Sequence, residues 1–128
     1  MWVQAPLVSF PRVLTALLER VPGARGAVFC DHEGESVAQV VRDGELSDYE
    51  MKVFGAQLAA VWAGLHETAR ECRVGPLVEL RVGCPKGSLL CRSLPDGYYL
   101  VLLIGSGSSG ARAAFELRAA AVAIAAEL

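Results

Sequence analysis

Residues 77–104 have the sequence LVELRVGCPKGSLLCRSLPDGYYLVLLI, which contains three strand-like segments separated by two short turns. The turns CPKG (84–87) and PDG (95–97) are so short that the strands on either side must be antiparallel neighbours. The last segment, YYLVLLI (98–104), is apolar throughout and is therefore expected in the middle of a sheet, covered on both faces. The first segment alternates apolar and charged residues, its apolar positions being Val78, Leu80 and Val82.

Upstream of these strands, the sequence predicts a helix followed by a hairpin. Apolar residues recur at helical spacing from Phe10 to Val21, with Ser9 as a plausible N-cap, and Pro22-Gly23 ends the pattern. The stretch GAVFCDHEGESVAQVV (26–41) contains two β-type runs around a polar Asp-His-Glu-Gly turn. This arrangement is typical of a β-hairpin.

Two further helices complete the chain. The sequence SDYE (47–50) forms a capping box and predicts the start of a long helix from about Asp48 to Cys72. A last helix extends from about residue 109 to the end, with Ser108 or Ser109 as its cap. The element order is therefore α-β-β-α-β-β-β-α. We expect a single α+β domain over residues 1–128, a five-stranded antiparallel sheet with helices on both faces.

The composition excludes several classes of function. The 128 residues include 12 Lys/Arg and 14 Asp/Glu, and no basic cluster suggests nucleic-acid binding. No stretch approaches the ~18–20 uncharged residues that a membrane span requires. The opening residues MWVQAPLVSFPR lack the charged region and apolar core of a signal peptide. We therefore expect a cytoplasmic protein without a membrane span.

The sequence offers no clear catalytic or metal site. The four cysteines at 30, 72, 84 and 91 form no Cys-x-x-Cys pair, and the histidines at 32 and 66 lack closely spaced partners. Most of the cysteines are therefore expected to act as small buried hydrophobes, and no metal or cofactor is expected. The polar run Asp31-His32-Glu33 is typical of a solvated turn. We predict no catalytic residue.

The stretch GSGSSG (105–110) matches the glycine pattern of dinucleotide-binding folds and leaves one alternative function open, a nucleotide sensor. That fold requires the helix after the glycines to return to a parallel strand, followed by an acidic residue. Only 18 residues follow Gly110, and all have a helical pattern. The sequence therefore favours a tight turn whose serine caps the last helix, although an anion at the helix N-terminus stays possible.

The long helix is the most informative element, because VFGAQLAAVWAGL (53–65) contains a single polar residue, Gln57. The stripe Phe54, Leu58, Val61 and Leu65 is predicted to cover the protein's own sheet. The remaining circumference is small and apolar instead of charged, which is typical of a helix buried on all sides. The sequence thus predicts a homodimer with helix packed on helix, through Val53, Gly55, Ala59, Trp62 and Ala63. The alternative is a solvent-exposed, alanine-rich surface.

The chain resembles the roadblock/dynein light chain family, including its bacterial polarity-regulator branch. The likeness rests on VPGARGAVFCDHEGESVAQVV (21–41) and on LRVGCPKGSLLCRSLPDGYYLVLLI (80–104). It implies a profilin-like roadblock fold and a homodimer whose sheets join edge to edge through the strand LVELRV, here Val78, Glu79, Leu80 and Arg81.

The resemblance also implies a partner. Such dimers bind Ras-like small GTPases, and in the bacterial branch they activate GTP hydrolysis without inserting an arginine finger. Carried onto this chain, the docking surface is the exposed part of the long helix around Gln57, Ala60, Gly64 and Glu67. The alternative function is a structural adaptor that assembles complexes without changing GTP turnover.

Overall fold

The computed structural model describes residues 9–128, so the expectation about a signal peptide, which rests on residues 1–12, lies largely outside it. The element order is the predicted one. Three α-helices, five strands and a short 3₁₀ turn follow each other as α1 Phe10–Arg20, β1 Ala24–Cys30, β2 Ser36–Val41, α2 Asp48–Glu71, β3 Glu79–Cys84, β4 Gly87–Ser93, the turn Pro95–Gly97, β5 Tyr99–Gly105 and α3 Gly110–Ala125.

The five strands form one antiparallel sheet in the order β2-β1-β5-β4-β3. β5 lies in the centre, and its residues from Tyr99 to Ile104 are all buried, which confirms the prediction from its apolar run. β3 lies at one edge and begins at Glu79, two residues later than the sequence pattern indicated. Val78 precedes the strand, although its carbonyl still accepts a hydrogen bond from the Ser93 amide.

Helices cover both faces of the sheet, as predicted. α1 and α3 pack on one face, where Leu14, Leu17, Leu117 and Ile124 meet alternate residues of the central strands. α2 packs on the other face, where Met51 and Leu58 meet the intervening strand residues, Val28, Val101 and Leu103 among them. Successive strand residues point to opposite faces, so the apolar run of β5 supplies both cores.

The helix starts follow the local sequence. The Ser47 side chain accepts a hydrogen bond from the Glu50 amide, and the Glu50 carboxylate accepts one from the Ser47 amide, which confirms the capping box. Ser109 caps α3 by accepting from the Arg112 amide. Ser9 occupies the N-cap position of α1, but its side chain makes no capping hydrogen bond.

The inward stripe of α2 is displaced from the predicted one. Leu58 is buried and Phe54 is half-buried, but Val61 and Leu65 are 48% and 44% exposed. Buried residues recur instead at Met51, Gly55 and Leu58, and Trp62 continues the line. The reason is tertiary: the indole of Trp62 stacks on the ring of Tyr99, with centroids 6.2 Å apart and planes 9° apart.

Gly55 therefore faces the sheet, and its placement on an outer dimer face is wrong. The Tyr99 hydroxyl donates to the Gly55 carbonyl over 2.9 Å. A Cβ atom at Gly55 would lie 2.5 Å from the Cys30 sulfur. The missing side chain lets α2 approach β1, so this glycine serves the core.

Ala59 and Trp62 also lie on the inner side of α2, so their predicted outer position is wrong as well. Ala59 is half-buried and packs beside Gly34 of the β1–β2 hairpin. Val53 and Ala63 are exposed, as predicted. The helix closes onto the hairpin on one flank, which a pattern of small residues does not reveal.

The cysteines divide into two pairs. Cys30 and Cys91 are buried, whereas Cys72 and Cys84 are exposed, so the expectation that most of the cysteines are buried is wrong. Cys72 follows the last residue of α2 and Cys84 ends the edge strand β3, so both lie at the border of the packed elements.

Within residues 9–128, no helix is long and apolar enough to cross a membrane.

Candidate interaction surface

An apolar trough lies between α2 and the edge strand β3. Close backbone contacts of α2 with the sheet are to β1 and β2, which leaves the face of β3 less covered. Leu80 and Val82 lie on this face and are only half-buried. The facing flank of α2 presents Phe54, Val61 and Leu65, spaced seven and four residues apart along one line. We call these five residues the α2–β3 trough.

The trough is apolar, although much of it is exposed to solvent. One end of it is a cavity of about 280 Å³, where Phe54 meets Leu89 and Cys84. Val78, exposed by 46%, extends the apolar area at the start of β3, whereas Val53, exposed by 38%, lies on the other flank of α2 beside the β1–β2 hairpin. A contiguous exposed patch of this kind marks an interaction site more often than scattered apolar residues do.

β3 borders the trough with an open backbone edge. In the part of the chain that the structure describes, β4 is its one partner, so the outward amides and carbonyls of β3 have no strand beside them. Glu79 and Arg81 point to the opposite face, where Glu79 pairs with Arg92 over 2.7 Å and with Arg118 over 3.6 Å. An exposed edge strand pairs readily with another strand.

The four residues predicted to contact a GTPase form one exposed line on α2. Gln57, Ala60, Gly64 and Glu67 are spaced three, four and three residues apart, on the side away from the sheet. Apart from the neighbouring backbone of α2, no described residue lies within 4 Å of a Cβ atom placed at Gly64. We call this line the outer stripe. The structure thus brings these residues together on an open surface, next to the trough.

Sequence reasoning missed a cavity of about 370 Å³ at the end of α2, which His32 and His66 both line together with Trp62, Tyr98 and Tyr99. The two histidines are 34 positions apart, so their spacing gave no signal. The Leu77 amide donates to Nδ1 of His66 over 3.0 Å. Nδ1 of His66 thus acts as a hydrogen-bond acceptor.

The hydrogen bond of His66 ties the α2–β3 connection to α2. It thereby helps to position β3.

In the β1–β2 hairpin, the Asp31 carboxylate accepts hydrogen bonds from the amides of Glu33 and Glu35, at 2.9 and 3.0 Å. The run from Asp31 to Glu33 is therefore turn chemistry, as the sequence indicated.

The buried thiols are poor nucleophiles. Burial raises the pKa of Cys30 to about 12, and burial likewise raises the pKa of Cys91 to about 12. Burial also raises the pKa of the Tyr99 hydroxyl above its ordinary value. Because the thiolate is the reactive form, neither cysteine is activated near neutral pH.

The GSGSSG stretch lacks the surroundings of a dinucleotide site. β5, which precedes it, is antiparallel to both of its neighbours. The guanidinium of Arg81 lies against Gly110 at the start of α3, and the Ser108 hydroxyl is buried against Gly23. The glycines form a close turn between β5 and α3, with Ser109 as the cap.

A comparison with protein families finds a model that matches most of the chain. The family model described as "Roadblock/LC7 domain" matches residues 12–104, from α1 through β5. The chain belongs to the Roadblock/LC7 domain family. This roadblock chain has no match among curated proteins.

Solved structures share the roadblock fold. The gliding protein MglB from Thermus thermophilus aligns at a TM-score of 0.83 with 18% identity, covering 97% of this chain and 96% of that one. A Roadblock/LC7 domain from Streptomyces avermitilis aligns at 0.81 with 16% identity, covering 91% and 95%. MglC from Myxococcus xanthus aligns at 0.69 with 25% identity, covering 94% and 100%.

Proposed function

We propose that this roadblock protein is a homodimer that binds a Ras-like small GTPase and modulates its nucleotide cycle in the cytoplasm. The observation that carries the proposal is the α2–β3 trough beside the open edge of β3. A structure of MglB, 19% identical with a TM-score of 0.83, is described as having a tetrameric arrangement. Self-association is therefore known for a protein of this fold, and the resemblance in sequence supports a GTPase partner.

Dimerisation would cover both the exposed apolar side chains of the trough and the open backbone edge of β3. Two copies related by a two-fold axis would pair their β3 strands and extend the sheet across the contact. Val61 and Leu65 of one copy would then cover the half-buried Leu80 and Val82 of the other. Burial of apolar area at about 25 cal/mol per Å² drives such a contact, and the paired backbone fixes its register.

The outer stripe would stay free in this dimer and receive the GTPase. Ala60 and Gly64 are small enough for a partner backbone to approach α2 closely, while Gln57 and Glu67 supply polar contacts. The buried thiols of Cys30 and Cys91 are not activated, and the described residues include no cluster of three or more metal-ligating side chains. The protein is proposed to act on the GTPase by holding its mobile segments, and no residue of its own is assigned to the chemistry.

The test is phosphate release by a Ras-like small GTPase of the same organism, measured with and without the protein. We expect faster release with the wild-type chain and a loss of both binding and acceleration with Ala60→Arg, which places a long charged side chain on the outer stripe. Thr15→Arg, at an exposed position of α1 on the other side of the sheet, is the matched control. Binding without any change in rate would favour the adaptor function, and no binding would contradict the proposal.

A further inference from the structure

The outer surface of α3 carries an apolar line that the fold does not use. Phe115 and Val122, two helical turns apart, are 62% and 72% exposed. The exposed alanines at 111, 119 and 126 complete a line without a charged residue. We call these five residues the α3 seam. The opposite side of α3, with Leu117 and Ile124, fills the core and needs nothing from the seam.

The five residues of the seam lie on the opposite face of the sheet from α2, although Arg118 beside the seam reaches Glu79 of the edge strand β3. α1 and α3 cover one face of the sheet, whereas α2 with its trough and outer stripe covers the other. The whole of α3 also lies outside residues 12–104, the part that matches the roadblock family model. A partner on the seam would therefore leave α2 accessible.

Arginines flank the seam on both sides. Arg112 lies 3.8 Å from Glu116, and Arg118 lies 3.6 Å from Glu79. The two arginine side chains are about half exposed, at 56% and 48%, and Glu79 also pairs with Arg92. The layer as a whole is basic, since α1 and α3 contain four arginines and two glutamates while the chain has a net charge of −2.

We propose that the α3 seam binds an acidic amphipathic helix of another protein. The apolar line of the seam is complementary to the apolar stripe of a second helix. The large residues Phe115 and Val122 alternate with small alanines, so side chains of the second helix can pack between them. Exposed guanidinium groups on both flanks pair with carboxylates, often through two hydrogen bonds. Within α3 the one carboxylate, Glu116, is buried and already lies beside Arg112, so a second copy of α3 would offer these arginines no exposed carboxylate.

The test uses a display library of randomised helical peptides of about 18 residues, or five helical turns, selected on the wild-type protein. We expect enriched peptides with apolar residues three and four positions apart and an excess of Asp and Glu. Fluorescence anisotropy should show that Phe115→Ser and Val122→Ser each weaken the binding of these peptides about tenfold or more. The reason is that each substitution removes a large apolar side chain that the bound peptide would bury. Arg118→Ala should weaken them less and reduce the salt dependence of binding.

The control is Val37→Ser, since Val37 is 47% exposed on β2 at the other edge of the sheet and should leave the affinity unchanged. Circular dichroism confirms that each variant is folded. The proposal is overturned by enriched peptides without an acidic excess or by peptides that bind Val122→Ser as well as the wild type. Phosphatidylserine vesicles that bind the seam in preference to the peptides, or self-association lost in Val122→Ser, overturn it too. None of these outcomes depends on GTPase binding.

Discussion

Two glycines of α2, nine residues apart, have opposite surroundings. Gly55 lies against Cys30 and Val28, so any side chain there meets the sheet. Gly64 faces solvent, and apart from the adjacent backbone of α2 no described residue lies within 4 Å of the place that a Cβ atom would occupy. Both have ordinary helical backbones, so the difference between them is one of packing alone.

Alanine at these two positions should therefore act in opposite directions. We expect Gly55→Ala to lower the free energy of unfolding by about 1–3 kcal/mol, because the added methyl group overpacks the contact with Cys30. Gly64→Ala should raise it by about 0.5–1 kcal/mol, because alanine loses less backbone freedom in a helix. Urea denaturation measures both. Equal effects would contradict the inward orientation of Gly55.

His66 acts as a fixed hydrogen-bond acceptor for the Leu77 amide. We expect His66→Ala to lower the free energy of unfolding by about 1–3 kcal/mol, because it leaves a half-buried amide without a partner. His66→Asn should recover much of this loss, since an Asn side-chain oxygen can occupy the place of Nδ1.

The control for His66 is His32→Ala in the same cavity. The His32 side chain is 69% exposed, and its pairing with Glu33 at 3.6 Å is a surface contact. Its removal should change the stability by less than about 0.5 kcal/mol. If His66→Ala behaved like His32→Ala in thermal and urea denaturation, the role given to the Leu77 hydrogen bond would be wrong.

At the scale of elements, β1 and β4 place one buried thiol each on the α2 face of the sheet, on either side of β5. Both thiols are neutral in the folded protein well above the pKa of an ordinary cysteine, 9.0. Among residues 9–128, α2 is the helix that covers this face, so these thiols report on how closely α2 packs against the sheet.

The buried thiols predict a loss of stability at alkaline pH. Below about pH 9 the thiols are neutral in both states and their contribution to stability is complete. Between 9 and 12 the unfolded chain releases their protons while the folded chain retains them, so the free energy of unfolding falls as pH rises. We expect a shallower decline for Cys91→Ala and an unchanged one for Cys72→Ala, measured by urea denaturation across this pH range. An equal decline in both variants would contradict the prediction.

At the scale of the whole molecule, the open β3 edge and the trough predict self-association. Leu65→Glu places a charge in the trough, and we expect it to shift a dimer to monomer at micromolar concentration in analytical ultracentrifugation, because an unpaired buried charge is costly. Val37→Glu is a matched control, since Val37 is 47% exposed and Leu65 is 44% exposed. A monomeric wild-type chain at high concentration would refute the dimer and, with it, the proposed docking platform.

The regular elements could be predicted from the sequence because their signals are local. The apolar run of β5, the turns CPKG and PDG, and the Ser47–Glu50 capping box each act over a few residues. The inner face of α2 could not be predicted in the same way. A helix that is apolar around most of its circumference has no unique hydrophobic stripe, and the choice between Val61 and Trp62 depended on Tyr99, 37 positions after Trp62.

The sequence by itself determined the order of elements, the antiparallel sheet and its central strand, because these follow from short turns and residue periodicity. Only the tertiary structure decided which side of α2 meets solvent, that both histidines line one cavity, and that Phe115 and Val122 stay outside the core. These features depend on contacts between residues far apart in the chain, and neither spacing nor composition encodes such contacts.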